Sequence, residues 1–418
     1  MEQVTIEKLV HGGQGLATLA DGRKVFVWNA LPGEAVNIRI IKTKRSYAEA
    51  IAEEIIEPSV DRVEPLEHNY LATSPWQMMT FEAENSCKQT IVSELFAHEK
   101  VAVPTIKPVI HDDRQWHYRS KMEYSFWGDD DGLHLALHQR GSHGKQIVEG
   151  SELALPAVDA GARAVCAQLD ALGMRAGELK TIIVRASQDG LAAAALYTKR
   201  EDFPTLSLPP ELKGLRVYHS NPKSPASVPT RLIYELGDCL LHDDLLGHSM
   251  VYDVDSFFQV NLPVFEKALE YIQQQVADTS DIIDMYAGVG SIGLNVAGHR
   301  VTLVELDPAS VRMASQNADE SRLNVDVVEA STEKVLEYIT SDVPVIFDPP
   351  RAGLHSKVVD AILTALPPQI IYLSCNPATH ARDLALLQAS YEITDFEIYN
   401  FFPRTPHIET LAVLRRRD

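Results

Sequence analysis

Cysteine is scarce in this sequence. Its four residues, Cys87, Cys166, Cys239 and Cys375, lie far apart in 418 positions and never form a CxxC pair. That spacing argues against a disulfide framework and a cysteine-rich zinc site, and it fits a chain kept reduced in the cytoplasm. No apolar run approaches the roughly 20 residues of a membrane span, so no membrane partner is expected. The opening stretch "MEQVTIEKLVHGG" has no basic segment leading into an apolar core, and no secretory signal is expected. Positive charge is also in short supply. Lys and Arg total 38 against 58 Asp and Glu, a net charge of −20. Such a chain does not coat nucleic acid nonspecifically, although a local basic cleft stays open to it.

What is present is an ordinary globular composition, 45% hydrophobic and 23% charged, long enough for two or three domains. Residues 1–57 carry β-rich runs broken at "HGGQG", "DGR" and "LPGE", which predicts a small OB-like β-barrel. Arg39, Lys42, Lys44 and Arg45 gather around one strand and turn of it, as a phosphate-contacting strip or as a solvated face. Residues 58–90 read as a linker. Residues 91–248 mix strands such as "HYRSKMEYSFWG" with the helix "AVDAGARAVCAQLDALGM", an α+β domain with no chemistry of its own in view. Arg119, Lys121, Arg140 and Lys145 are its basic residues of interest. From 249 to 418 apolar strands alternate with helices, which predicts an α/β, doubly wound, mostly parallel sheet. Ligands of such sheets bind at the carboxyl ends of the strands.

The unusual residues of this last part fall at those ends. "DMYAGVGSIG" is a glycine-rich turn after a strand, and Glu305 ends the next strand, placed to accept hydrogen bonds from a ribose. Gly288-Val289-Gly290 runs on as Ser291, Ile292 and Gly293, and the acid Asp284 that comes before the turn favours S-adenosylmethionine over NAD. "FDPPRAG" sets Asp348 at another strand end, with Arg351 where amino methyltransferases place an aromatic residue. "IIYLSCNPAT" ends a buried strand in Cys375, either a nucleophile or a small buried hydrophobe. Near the C-terminus Glu409 directly precedes an apolar strand in "TPHIETLAVL". A thiol and a carboxylate at neighbouring strand ends fit methylation of carbon 5 of a pyrimidine. The thiolate adds to carbon 6, and the carboxylate later removes the carbon-5 proton.

"FFQVN" (Phe257 to Asn261), "DMYAGVGSIGL", "DPPRAG", "LSCNPAT" and "TPHIET" resemble, in order, the motif set of the RNA uracil-5-methyltransferase family. The N-terminal β-domain resembles the TRAM domain of its ribosomal-RNA members, which the bacterial tRNA-type enzyme lacks. The resemblance covers nearly the whole chain. It implies a Rossmann-like methyltransferase domain at 249–418, a TRAM domain at 1–57 and S-adenosyl-L-methionine as cofactor. It further implies Gln259, Tyr286, Glu305 and Asp348 in the cofactor site, Cys375 as nucleophile and Glu409 as base. One departure is plain. The stretch "EHNYLATSPWQMMTFEAENSCKQ" lacks the cluster cysteines of the ribosomal-RNA members, Cys87 comes too late to serve, and the later position matches Ser151. No iron–sulfur cluster and no other metal are therefore expected, and 58–90 includes a degenerate cluster-type segment. "VVEASTEKV" also departs from the usual pattern near the adenine. The expected substrate is a uridine of RNA, in 23S ribosomal RNA, with uridine 54 of tRNA as the alternative. The expected protein is a cytoplasmic monomer. A DNA cytosine-5-methyltransferase would carry its cysteine early, in a Pro-Cys pair, and a non-catalytic RNA-binding protein would not need Cys375, Glu409 and the cofactor turn together.

Overall fold

Among the described residues, 22 strands combine β-branched and aromatic residues with short polar turns, and three sheets result, besides one separate hairpin. The computed structural model of the chain describes residues 2–140, 144–224, 227–277 and 279–417. They divide into two compact units that alternate along the sequence. The first takes the residues up to Cys87, Arg114–Cys239 and Pro403–Pro406. The second takes Lys88–Asp113, Leu240–Phe402 and the chain from His407 onward.

The first unit holds two sheets. Strands Glu2–Thr5, Lys8–Leu9, Gly15–Thr18, Lys24–Trp28, Ala35–Thr43 and Tyr47–Glu57 form a six-stranded one. Alternate residues point inward, so that Val25, Val27, Val36, Ile38, Ala48 and Ala50 are buried. Three register shifts between Ala35–Thr43 and Tyr47–Glu57 bend that long pair and curl the sheet. The second sheet has seven strands, with Lys121–Asp129 and Leu179–Ala186 at its middle. Helix Pro156–Ala171 lays Val158, Ala162, Val165 and Leu169 into its apolar core.

The second unit holds a seven-stranded sheet made of β1 (Asp281–Met285), β2 (Arg300–Glu305), β3 (Asn324–Glu329), β4 (Val345–Phe347), β5 (Gln369–Ser374), β6 (Tyr391–Tyr399) and β7 (Glu409–Arg416). Their order across the sheet is β3-β2-β1-β4-β5-β7-β6. The first five are parallel, and β7 runs antiparallel to both its neighbours. Every residue of β5 is buried, as a strand covered on both faces requires. This is the doubly wound sheet that the alternation of strands and helices predicts.

One buried side chain ties the elements around β1 together. Asn317, on helix Pro308–Glu320, receives the Val251 N–H at 2.7 Å. Its amide donates at 3.0 Å to the carbonyls of Val251 and Val289. It thus joins the helix, the hairpin strand His248–Asp253 and the glycine turn. Asn317→Leu keeps the volume but leaves these backbone groups unpaired, at about 1–3 kcal/mol for each buried group. Urea unfolding should show a loss of at least about 2 kcal/mol. A midpoint equal to wild type would remove this role.

Candidate active site

The glycine turn starts from a buried acid. Asp284, fully enclosed on β1, receives the Gly293 N–H on Oδ2 at 2.8 Å, and its Oδ1 is buried without a hydrogen-bond partner. Burial pushes its carboxyl up to about 8. Two residues on, Tyr286 takes φ +67°, a strained conformation for a residue with a side chain. Tyr286 is half-buried, and burial, then the charge of Glu333, raises its hydroxyl to about 12. Gly290 follows at φ +84°, and a Cβ there would lie 2.8 Å from Leu294 Cδ1, so the turn admits no side chain.

Glu305, at the end of β2, closes the same turn. Oε2 accepts the Gly288 N–H at 2.8 Å, and Oε1 accepts those of Leu306 and Asp307 at 2.7 Å each. Three backbone donors fix the carboxylate and leave one lone-pair site, on Oε2, for a further donor. Phe257 meets the turn from the other side. The residue is 58% exposed, and its Cδ1 would lie 3.6 Å from a Cβ on Gly288. Gln259, two residues later, is buried. Phe257 could have been found in the sequence, inside "FFQVN", but nothing there shows that the residue stays exposed. The glycines without Cβ, the orphaned Asp284 oxygen and the anchored Glu305 fit a nucleoside-bearing cofactor.

The second cluster stands at the ends of β4, β5 and β7. Asp348 follows β4, and its N–H faces the Met285 carbonyl at 3.5 Å. Its surface is partly open, yet the surrounding protein desolvates the carboxyl and lifts it to about 7. Cys375 follows β5, half-buried. Burial, then the charges of Glu409 and Asp348, push its thiol up to about 12, while the Arg351 guanidinium pulls the other way. Glu409 opens β7 at 3% exposure, with Oε2 unpartnered. Burial and Asp348 raise its carboxyl well above the usual range, and Arg351 again opposes them. Arg351 also donates to the His407 ring, 2.9 Å from Nδ1. The fold therefore brings Asp348, Cys375 and Glu409 into one electrostatic cluster and adds Arg351, which motif reading alone leaves without a role.

The remaining sequence candidates lie in the first unit. Arg39 pairs with Glu53, and Lys42 pairs with Glu49 at 3.3 Å, whereas Lys44 and Arg45 stand exposed. Arg140 stacks over the Trp28 ring at 4.9 Å, and the Lys145 ammonium donates to the Phe126 carbonyl at 3.1 Å. In the degenerate segment, Glu67 accepts from Thr73, Ser74 and Gln77 and from the Glu152 N–H. Ser151 is buried, with its N–H on Asp159 at 3.0 Å. Oxygen and amide groups joined in this way do not fit a thiolate-held iron–sulfur cluster. Trp76, Met78 and Met79 are fully buried beside them, and Tyr70 donates to Asn29.

Comparison with known proteins bears on both halves of the chain. The family model described as tRNA (Uracil-5-)-methyltransferase matches residues 243–417, and that of the TRAM domain matches residues 2–52. An uncharacterized RNA methyltransferase of Halalkalibacterium halodurans is 30% identical, over 100% of this chain and 97% of its own. The chain belongs to the RNA uracil-5-methyltransferase family. A second RNA methyltransferase, from Thermotoga maritima, is 28% identical over the full length of both chains. Among solved structures, the tRNA (uracil-54, C5)-methyltransferase of Pyrococcus abyssi, in complex with S-adenosyl-L-homocysteine, shares the fold. It has a TM-score of 0.79 and 20% identity, covering 99% of this chain and 100% of that one. The protein is thus an S-adenosylmethionine-dependent RNA methyltransferase with a TRAM domain before its α/β catalytic domain, as its motifs imply. No helix among the described residues is long and apolar enough to cross a membrane.

The buried acid of the family's cofactor turn has a consequence for stability. A carboxyl raised from 3.8 to about 8 on folding stabilises the fold fully below pH 4, and that contribution is lost as pH rises through 8. Between pH 5 and 8 the wild type should lose up to about 1.4 kcal/mol per pH unit from this group. Asp284→Asn still accepts from Gly293 and cannot ionise, so its stability should fall less steeply over that range. Parallel pH profiles of Tm for the two proteins would overturn the assignment.

Proposed function

We propose that the protein methylates carbon 5 of a uridine in RNA, with Cys375 as nucleophile and Glu409 as the base that removes the carbon-5 proton. The observation that carries this reading is the meeting of Cys375, Glu409, Asp348 and Arg351 at the carboxyl edge of the sheet. Gln259, Tyr286, Glu305 and Asp348 would hold S-adenosylmethionine, and bound there it supplies an electrophilic methyl group. The Cys375 thiol loses its proton to water, and Sγ bonds to carbon 6. The electrons displaced from the 5,6 double bond let carbon 5 take the methyl group, whose bond to the sulfonium sulfur breaks to leave S-adenosylhomocysteine. Glu409 then accepts the proton of carbon 5, the bond from carbon 6 to sulfur breaks, and the 5,6 double bond returns.

Electrostatics divides the work between the residues. The thiol rests protonated, so Arg351 is the group that favours its thiolate as well as the ionised form of Glu409. Asp348, raised only to about 7, is ionised in substantial part at neutral pH. A base stacked in a helix cannot present carbon 6 to a thiol, so the uridine must be flipped out or lie in a loop.

Two variants test the assignment. Cys375→Ala should lose methyl transfer while binding S-adenosylmethionine as wild type does. Glu409→Gln should still form the covalent bond and should accumulate methylated RNA–protein adduct, with turnover down by about 10²–10⁴-fold. Methyl transfer by the alanine variant would remove Cys375. Normal turnover by the glutamine variant would move the base elsewhere, with His407 next to be tested.

For the RNA, we infer a ribosomal target, 23S rRNA, because the TRAM match accords with the ribosomal-RNA members. The second reading, uridine 54 of tRNA, is favoured by the description of the matching family model and by the Pyrococcus fold neighbour. Mapping 5-methyluridine in both RNAs from a deletion strain separates them. Loss from 23S rRNA alone is the expected result, and loss from tRNA position 54 would select the alternative.

A further inference from the structure

Helix Pro377–Leu387 begins two residues after Cys375, and its first two turns face the backbone of residues 351–354. Asn376 donates to the Arg351 carbonyl at 2.9 Å, and Thr379 Oγ1 donates to the same oxygen at 3.2 Å. One turn on, Arg382 Nη2 donates to the Ala352 carbonyl at 2.9 Å. Asp383 completes the set. It is 1% exposed, and its Oδ2 accepts the Leu354 N–H and the Tyr372 hydroxyl, each at 2.8 Å. Its Oδ1 accepts Arg382 Nε at 2.8 Å and Nη2 at 2.6 Å. Four donors leave this buried carboxylate well satisfied. The fit is close on the loop side too. Gly353 stands at φ +76°, where a Cβ would come within 2.5 Å of Asp383 Oδ2.

With Arg382 half-exposed, this ion pair by itself adds little to stability. What the four residues hold is a short loop carrying Arg351, which is tied by its carbonyl to Asn376 beside Cys375 and donates to His407, two residues before Glu409. We propose that Asp383, with Arg382, is a positioning residue that fixes the 351–354 backbone and so sets the Arg351 guanidinium against the reacting thiol. The inference rests on the proposed role of Cys375. Neither residue touches the uridine or the cofactor in this account. Both act through Arg351.

The test is the rate of covalent adduct formation, with S-adenosylmethionine saturating, on ribosomal and transfer RNA transcripts carrying 5-fluorouridine, whose fluorine cannot leave as the proton does. Asp383→Asn and Arg382→Met should slow it by about 10- to 100-fold, the scale of a misplacement near 1 Å. Cofactor binding by calorimetry should stay within about twofold. In an Arg351→Met background, Asp383→Asn should add less than about twofold, because the group it positions is already gone. Costs that multiply in the double variant would show a general structural role and overturn the proposal, as would a wild-type rate in either single variant. If Asp383→Asn does not fold, Arg382→Met, whose side chain is half-exposed, carries the test, alone and with Arg351→Met. A wild type that forms no adduct would overturn the Cys375 reading and this inference with it, whereas multiplying costs would overturn only the positioning role.

Discussion

The last strand of the sheet runs against its neighbours, and its register with β5 pairs Thr410 with Ser374. A parallel strand would bring its final residues to the edge where β5 ends. An antiparallel one brings its first. Glu409 is that first residue, and Cys375 is the one after Ser374, so this pairing puts acid and thiol at the same edge. A slip of one residue would turn Glu409 to the other face of the sheet. Burial of all six residues of β5 and of Glu409–Leu414 holds the register against such a slip. The hydroxyl of Thr410 adds to it, reaching the Ser374 carbonyl at 3.4 Å and the buried His380 ring at 2.7 Å.

Placing those groups at one edge has an electrostatic consequence. Three ionisable groups that would be negative when charged share a poorly solvated region with one guanidinium. For each of them desolvation is the largest influence, and it favours the neutral form. A thiol near 12 is a weak nucleophile, and a carboxyl raised far above its usual range is a strong base once ionised. Arg351 favours the charged forms of Cys375 and Glu409, and how strongly it does so depends on where its guanidinium is held. That is the physical reason to hold its backbone with four side chains of the adjoining helix rather than to leave it on a free loop.

Several of these features could be read from the residues in order. Strands alternating with helices gave the α/β half, and polar residues at strand ends marked Glu305, Asp348 and Cys375. Other features depend on partners distant in sequence. Lys42 looks free in "IIKTKR", but strand pairing sets it directly opposite Glu49. Arg140 reads as a phosphate contact, yet it stacks on Trp28 more than a hundred residues earlier. "FFPRTPH" reads as a proline-bracketed turn. Nothing local shows that Arg404 is buried at φ +64°, stacked on Phe81 and Trp116 with its N–H on Glu84. Nor does any local pattern show that Asp383 closes on the Leu354 N–H.

An acidic enzyme that acts on RNA must obtain its attraction locally. A net charge of −20 repels RNA at long range, and the repulsion is screened beyond about 8 Å at physiological salt. Inside that distance, individual side chains decide. The pairs Arg39–Glu53 and Lys42–Glu49 are exposed, and such pairs contribute only about 0–1 kcal/mol. A phosphate offers the same cation at least as good a partner, and it releases counterions from the RNA as well. The glutamates therefore do not remove Arg39 and Lys42 from the candidates beside the free-standing Lys44 and Arg45. They lower the strip's affinity for any polyanion that meets it at random, and they leave the cations to one whose shape holds phosphates against both at once.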